Sequence, residues 1–302
     1  MQYYLLGLVS VLAFTFNVFG TKKYQVSVHE SRRYLGLYQT LYCFIASVCF
    51  LLLSVFTGHF DLTDPVTIAA GVGFGILFFG ASRLSSIAYI KGSVSLTAVI
   101  VNLSLLLPVF YSIFYLHEPF DILHGIGLSL FIACLFLSAF SQKETGKAFS
   151  PVWLILVICG LLCNGTTGII QKHYIMVHEM PNGTMLMTFG YSIATLCFLL
   201  TFLFERVRIP KQQLEFVGAD ARKTLILALV SGAGSFVGNM LITYLSDKLP
   251  GPILFPLVNG GLCMSSSLVS FFYFKEKPTV MKWIAIICGA CAVVILSISS
   301  KS

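Results

Sequence analysis

The chain has 302 residues, of which 57% are hydrophobic and only 10% are charged, and its net charge at pH 7 is +7. Soluble domains carry about 25% charged residues, so this composition excludes an ordinary soluble globular domain. The positive charge is interpreted as a signal of membrane topology, and no nucleic-acid partner is predicted.

Apolar segments of membrane-spanning length recur along the whole chain, with short polar gaps between them. A helix needs about 20 apolar residues to cross a hydrocarbon core of roughly 30 Å. Ten spans are predicted, at 3–20, 34–57, 66–90, 93–116, 121–140, 151–174, 184–204, 224–246, 252–274 and 280–298. These segments do not alternate apolar and polar residues as barrel strands do. The sequence therefore predicts an all-α integral membrane protein with the lipid bilayer as its surroundings.

The first span, 3–20, is predicted to be retained. No basic residues precede it and no A-x-A-like cleavage site follows it, so it does not resemble a signal peptide. Two further spans carry G-x-x-x-G pairs, Gly71 with Gly75 and Gly234 with Gly238. Such pairs allow helices to approach closely.

Chemistry-bearing motifs are missing from the spans. The nine cysteines all fall inside predicted spans, where small apolar packing residues are expected. No H-E-x-x-H or G-x-S-x-G motif and no pair of membrane aspartates occurs. We therefore predict no enzymatic activity, no metal site and no cofactor.

The basic residues are distributed unevenly between the two sides. With the N-terminus outside, sixteen of the nineteen Lys and Arg residues fall on the cytoplasmic side, and only Lys172, Lys248 and Lys301 fall on the other. The positive-inside rule then predicts that both termini are extracytoplasmic. The predicted location is the plasma (inner) membrane.

The two halves of the chain repeat weakly. At an offset of 158, residues 91–128 align with 249–286, and Glu118 of FYLHEP aligns with Glu276 of FYFKEKP. We predict a first five-helix repeat at 1–140, a cytoplasmic linker at 141–150 and a second five-helix repeat at 151–302. Because five spans is an odd number, the second repeat enters the membrane from the opposite side, as in many secondary transporters.

At LPGPILFPLVNGG (249–261), FKEKPT (274–279), CGACAVVIL (288–296) and HEPF (117–120) the sequence resembles the drug/metabolite transporter superfamily, in its EamA-like branch. The resemblance extends over essentially the whole chain. It implies ten helices as two inverted five-helix repeats around a central cavity, with spans 1, 3, 4, 6, 8 and 9 around that cavity.

Asparagines occur in five of these six spans. Five of the six lie in spans 1, 4, 6, 8 and 9, and an amide in hydrocarbon costs several kcal/mol unless a partner satisfies it. Helical spacing adds hydroxyl, amide and aromatic side chains on the same faces. The candidate substrate-binding residues are Asn17, Ser82, Arg83, Tyr89, Asn102, Asn164, Gln171, Asn239, Thr243, Asn259, Cys263 and Ser266.

Each of these residues also has a simpler interpretation. Small and hydroxylated residues can mediate helix packing alone. Arg83 can be an anchor whose charge extends to the interface, or a cavity cation for an anionic substrate group. Glu118 and Glu276 are expected to cap the helices that follow them. In 252–274, Pro256 and the Gly260–Gly261 pair are expected to loosen the helix beside the cavity.

No Asp or Glu lies deep in a span, and the first span carries Asn17 where related small multidrug antiporters carry a carboxylate. Proton exchange through such a group is therefore not expected. The predicted function is secondary transport of a small polar or amphipathic metabolite by alternating access. The alternatives are a lipid-headgroup flippase on the same scaffold and a non-transporting receptor or scaffold. Substrate charge, transport direction, and the choice between monomer and homodimer stay open.

Overall fold

The structure is a computed structural model that describes residues 2–27, 33–140, 150–207, 221–273 and 280–299. The regular structure in these ranges is helical. The helices are α1 (Gln2–Ser27), α2 (Arg33–Phe56), α3 (Pro65–Lys91), α4 (Val94–Asn102), α5 (Leu106–Phe114), α6 (Ile122–Phe140), α7 (Pro151–Val177), α8 (Gly183–Val207), α9 (Ala221–Leu245), α10 (Gly251–Phe272) and α11 (Val280–Ser299).

The chain is an integral multi-pass membrane protein. Among the described residues, eight segments are long and apolar enough to cross a membrane, and one of them, Leu96–Phe114, contains both α4 and α5. The apolar stretches Ile122–Ser138 and Trp283–Leu296 are shorter. The all-helical prediction is confirmed, and a helix lies at each of the ten predicted positions. Ten crossings and their inverted arrangement stay predictions.

Several helices begin where the sequence supplies an N-terminal cap. The Asp64 carboxylate accepts a hydrogen bond from the backbone N–H of Val66 at 3.0 Å, one residue into α3. The Ser93 hydroxyl accepts from the N–H of Leu96 at 3.2 Å and caps α4. Such side chains satisfy backbone donors that have no partner inside the helix.

Pro108 explains why the fourth predicted span, 93–116, is interrupted. A 3₁₀ turn at Leu103–Leu105 separates α4 from α5. Proline has no N–H and its ring clashes with the carbonyl four residues earlier, which here belongs to Ser104. The α-helical hydrogen-bond pattern therefore gives way to one 3₁₀ turn, which we call the α4–α5 break, although the backbone of Asn102, Leu103, Leu105 and Leu106 stays in the right-handed helical region.

The proline expected to loosen the ninth span does not interrupt it, because α10 is one helix from Gly251 to Phe272. Pro256 lies near its start and removes only the hydrogen bond to the carbonyl of Pro252. Gly260 lies against the ring of Phe131 in α6, and Gly261 against the side chain of Val11 in α1. These two glycines therefore serve close packing.

The helices form two compact units that do not correspond to the two sequence halves. The first unit comprises the described residues of 1–11, 80–179 and 241–302, and the second those of 12–79 and 180–240. Each unit thus takes residues from both predicted repeats. The two units are defined by contacts in space, whereas the predicted repeats are defined by position in the sequence. The units therefore do not test the repeats at 1–140 and 151–302, which stay a prediction. Residues 141–149 of the linker lie outside the described ranges.

The core of the first unit lies among α5, α6, α10 and α11. It contains Leu105, Val109, Phe131, Phe255 and Ala292. A second cluster joins Trp153 of α7 to Ala88 of α3, and the Trp153 indole N–H donates to the Thr97 hydroxyl of α4 at 2.9 Å. These contacts fix α7 against the broken α4–α5 segment.

The second unit relies on close helix approach. The α2 and α8 helices pack along each other, and Tyr38, Phe50, Tyr191 and Phe198 are fully buried. A methyl group at Gly75 would overlap the carbonyl oxygen of Gly190 in α8, and one at Gly234 would overlap the carbonyl oxygen of Ala13. The close approach predicted at these G-x-x-x-G pairs is confirmed.

Candidate functional site

The structure divides the predicted substrate-binding residues between the two units. Asn17 and Asn239 belong to the second unit. The other ten belong to the first unit: Ser82, Arg83, Tyr89, Asn102, Asn164, Gln171, Thr243, Asn259, Cys263 and Ser266. Among all twelve, only Asn102 and Asn164 are exposed, whereas Gln171, Thr243 and Asn239 are buried.

Asn164 lies beside the break between α4 and α5. Its amide nitrogen donates to the Ser104 hydroxyl, within the 3₁₀ turn, at 2.6 Å. A methyl at the neighbouring Gly165 would approach the Ser104 carbonyl oxygen closely, so α7 and the turn are in tight contact. This carbonyl is the one that Pro108 deprives of its helical donor. The break therefore places backbone and side-chain polar groups next to an exposed amide.

Asn102 lies at the C-terminal end of α4, where the regular helix stops. Its amide nitrogen donates to the carbonyl oxygen of Ala98 at 2.7 Å, one turn back in the same helix. That bond uses one of the two amide donors and leaves the amide oxygen as an acceptor at an exposed position. Asn102 thus ends α4 immediately before the turn, and Asn164 contacts the turn itself through Ser104.

Gln171 and Thr243 are brought together although 72 residues separate them in sequence. The Gln171 amide nitrogen donates to the Thr243 hydroxyl at 2.6 Å, and both side chains are buried. This bond joins α7 to the last turn of α9. In this conformation the pair serves helix packing.

Asn259, Cys263 and Ser266 lie on α10 and bond mainly within it. The Asn259 amide nitrogen donates to the Phe255 carbonyl oxygen at 3.0 Å, and the Ser266 hydroxyl to the Cys263 carbonyl oxygen at 3.0 Å. The Cys263 thiol lies against Cys134 of α6. On α3, the side chains of Ser82, Arg83 and Tyr89 are half-buried.

Asn17 forms part of a packed polar network in the second unit. Its amide nitrogen donates to the Ser231 carbonyl oxygen at 3.0 Å and to the Ser235 hydroxyl at 3.1 Å. The Ser231 hydroxyl donates back to the Asn17 carbonyl oxygen at 3.0 Å. This exchange holds α1 and α9 together at the close approach that Gly234 allows.

Asn239 completes the same network through α8. Its amide nitrogen donates to the Tyr191 hydroxyl at 2.7 Å and to the Ser235 carbonyl oxygen at 3.0 Å. The Tyr191 ring is fully buried and lies 5.7 Å from Phe50 and 6.3 Å from Phe74, centroid to centroid. In this conformation Asn17 and Asn239 stabilise helix packing, which is the simpler of the two interpretations.

A buried ion pair, which sequence reasoning missed, joins α7 to the loop after α5. Lys172 Nζ lies 2.6 Å from Glu118 Oε1, and the two side chains are 1% and 10% exposed. The same ammonium donates to the carbonyl oxygens of Ser246 at 2.5 Å and Leu249 at 2.9 Å. An ammonium has three N–H donors, so each one has a partner.

Glu118 caps a helix, but not the one that follows it in sequence. Its second carboxylate oxygen accepts from the backbone N–H of Gly251 at 2.6 Å, at the start of α10. A carboxylate is favourable there because the N-terminal end of a helix carries partial positive charge. Glu118 belongs to FYLHEP, which is repeated as FYFKEKP. This repeat does not indicate its partner Lys172, which is 54 residues away in sequence. Glu276 lies outside the described residues.

No metal-binding cluster is found in the part of the chain that the structure describes: no three His, Cys, Asp or Glu side chains lie close enough to hold an ion. Outside the spans, hydrogen bonding and charge from Asp247 raise the pKa of Lys248. Lys248 is exposed and stays charged. Lys172 differs from it in being buried.

Comparison with known proteins supports the family resemblance that the sequence motifs indicated. Residues 151–298 match the EamA-like transporter family. One solved crystal structure has a similar fold, with a TM-score of 0.78 and 16% sequence identity. The match covers 99% of this chain and 98% of the chain in that structure. At that identity the likeness establishes a shared fold alone. No curated protein matches the sequence.

Proposed function

We propose that this chain, whose residues 151–298 match the EamA-like transporter family, is a secondary transporter of a small polar or amphipathic metabolite. The family match supports a membrane transporter of the drug/metabolite type. The substrate class and the alternating-access mechanism are our proposal.

The observation that carries the proposal is the interrupted α4–α5 segment with Asn102 and Asn164 beside it. Transporters commonly build substrate sites from discontinuous membrane helices, and irregular backbone inside a membrane is tolerated where it contacts protein or a water-filled cavity. An exposed amide facing lipid would cost several kcal/mol, so both side chains are expected to face water or solute.

Neutral groups dominate this region, which favours a substrate recognised through hydrogen bonds. The exposed amides of Asn102 and Asn164 offer donors and acceptors without charge. The described Asp and Glu residues lie in loops or near helix ends, so no carboxylate stands in the middle of a span as a proton carrier. We therefore propose facilitated diffusion or solute exchange by alternating access.

The test uses purified protein in proteoliposomes and a panel of radiolabelled sugars, nucleosides, amino acids and amines. We expect saturable uptake of at least one solute above that of empty liposomes. Asn164→Leu should reduce that uptake at least about tenfold, because the substrate would lose a hydrogen-bonding partner. Thr166→Val is the matched control on α7, since within the described part of the chain the Thr166 hydroxyl bonds to the Leu162 carbonyl oxygen of its own helix.

Two outcomes would contradict the proposal. Absence of uptake for every solute, together with transfer of fluorescent lipids between leaflets, would identify a flippase instead. Absence of both activities in folded protein would favour a receptor or scaffold. Equal loss of uptake in Asn164→Leu and Thr166→Val would remove the binding role from Asn164.

A further inference from the structure

Five residues at one end of α7 form a buried polar cluster, which we call the Lys172 cluster: Glu118, Lys172, Ser246, Leu249 and Gly251. It joins three chain segments of the first unit, namely α7, the loop between α5 and α6, and the turn between α9 and α10. No single helix contains two of the partners that meet at the ammonium. The cluster can therefore stay intact only while the three segments remain together.

The energetics of this cluster depend on it being complete. A buried ion pair is compensated only if its charges are fully hydrogen-bonded, and a charge that loses its partner while buried is strongly destabilising. If the segments separate and water enters, both charges become hydrated and this penalty disappears. The closed, dry arrangement is the one observed, and a fully hydrated open arrangement would also be free of this penalty, whereas partly separated ones between them would not.

Close packing around the cluster leaves one polar atom without a partner. The Ser112 hydroxyl in α5 is fully buried and has no hydrogen-bond partner among the described residues. It lies directly against Gly251, where a methyl group would overlap it. A buried hydroxyl without a partner raises the free energy of the closed arrangement. Opening would let water bond to Ser112, which makes the closed arrangement easier to leave.

We propose that the Glu118–Lys172 pair is a gate latch, which closes this end of the transporter and breaks once in each transport cycle. The inference rests on the proposed function. It assigns to Lys172 and Glu118 a part in the conformational change, while the substrate contacts stay with the residues near the α4–α5 break.

The experiment measures distances between spin labels in proteoliposomes. All nine native cysteines are replaced, and labels are placed at Phe120, after Glu118, and at Tyr244, in the last turn of α9; both side chains are exposed. The parent protein should show a short distance for the closed latch and a longer one for the open latch. Lys172→Met should raise the ratio of long to short at least about tenfold, because it leaves Glu118 buried without its cation.

Lys248→Met is the matched control, because Lys248 lies in the same α9–α10 turn as Ser246 and Leu249 but is exposed and pairs with its neighbour Asp247. It should leave the distances unchanged, as exposed ion pairs contribute little. Glu118→Gln is the milder second variant: it keeps an acceptor for the Gly251 N–H and removes only the charge. It should shift the ratio in the same direction if Lys172→Met does not fold.

A single short distance in the parent and in Glu118→Gln would overturn the latch and leave a static structural pair. Solute uptake, measured in parallel on the same samples, separates the two proposals. Uptake with one unchanging distance would overturn the latch alone. Two distances without uptake of any solute would leave the latch in place and count against the proposed transport.

Discussion

Polar side chains inside the membrane segments of this protein lie in two settings, buried and exposed, that their residue types do not distinguish. Asn17 and Asn239 bond to serine and tyrosine groups of neighbouring helices, whereas Asn102 and Asn164 are exposed beside a break in the helix. The difference arises from what lies opposite each amide. A buried amide must be satisfied by protein, while an exposed one in a span needs water or solute.

The role of Asn239 in packing can be tested through its partner. Tyr191→Phe removes the hydroxyl that accepts from the Asn239 amide and leaves the buried ring in place. Loss of one buried hydrogen bond should cost about 1–3 kcal/mol. We expect a fall in the thermal unfolding midpoint of roughly 2–4 °C for each kcal/mol lost, measured in detergent. Tyr244→Phe, at an exposed tyrosine, should leave the midpoint unchanged, and equal shifts in both variants would contradict this role.

Some polar residues of the spans could be selected from the sequence, but the partners they contact could not. The asparagines could be selected because amides are rare and costly in apolar segments. Lys172 also lies in such a segment, but near its end, where a lysine is ordinarily an interfacial charge. Only the fold brings Glu118 and the α9–α10 turn to it, and no local pattern in either half encodes that contact. The same holds for Gln171 and Thr243.

Helix positions were predictable because each needs only a continuous apolar stretch. The prediction of 66–90 compares with Pro65–Lys91 in the structure, and 151–174 with Pro151–Val177. Hydropathy does not reveal the break at Leu103–Leu105, since Pro108 lies in an apolar run. Hydropathy likewise does not show that Pro256 leaves α10 continuous, because the position of a proline within a helix decides its effect.

The break itself is expected to be necessary for transport. Pro108→Leu restores the backbone N–H and removes the ring clash, so α4 and α5 should merge and the Ser104 carbonyl should regain a helical donor. We expect at least about tenfold slower solute uptake in proteoliposomes, with folding retained because leucine is a good helix former. Pro256→Leu, in a helix that is already continuous, serves as the control. Unchanged uptake in Pro108→Leu would separate the break from function.

Glycine packing between α3 and α8 gives a second prediction for whole elements. In Gly75→Ala the added methyl would meet the Gly190 carbonyl oxygen, and such overpacking costs about 1–3 kcal/mol. The thermal unfolding midpoint should therefore fall. Gly125→Ala in α6 meets only the ring of Phe120 at ordinary contact distance, so its midpoint should stay level or rise through better helix propensity. A fall in both variants would show that the contact at Gly75 is not the cause.

At the scale of the whole molecule, the buried setting of Lys172 bears on the predicted membrane topology. Sixteen basic residues fall on the predicted cytoplasmic side, and three fall on the other side: Lys172, Lys248 and Lys301. Lys172 is buried and neutralised by Glu118, so it does not act as a loop charge. The positive-inside rule concerns charges in short loops, and only two remain on the predicted outer side. The asymmetry thus becomes stronger once the ion pair is recognised.

Reporter fusions can check this topology. Alkaline phosphatase, which is active only outside the cytoplasm, should be active when fused after residue 302 and inactive when fused within the linker at 145. Green fluorescent protein, which fluoresces only when it folds inside, should give the opposite pattern. Lys172→Met should leave both patterns unchanged, because this lysine contributes no loop charge. A reversed pattern in the parent would place both termini in the cytoplasm, and a reversal caused by Lys172→Met alone would show that Lys172 does act as a topology signal.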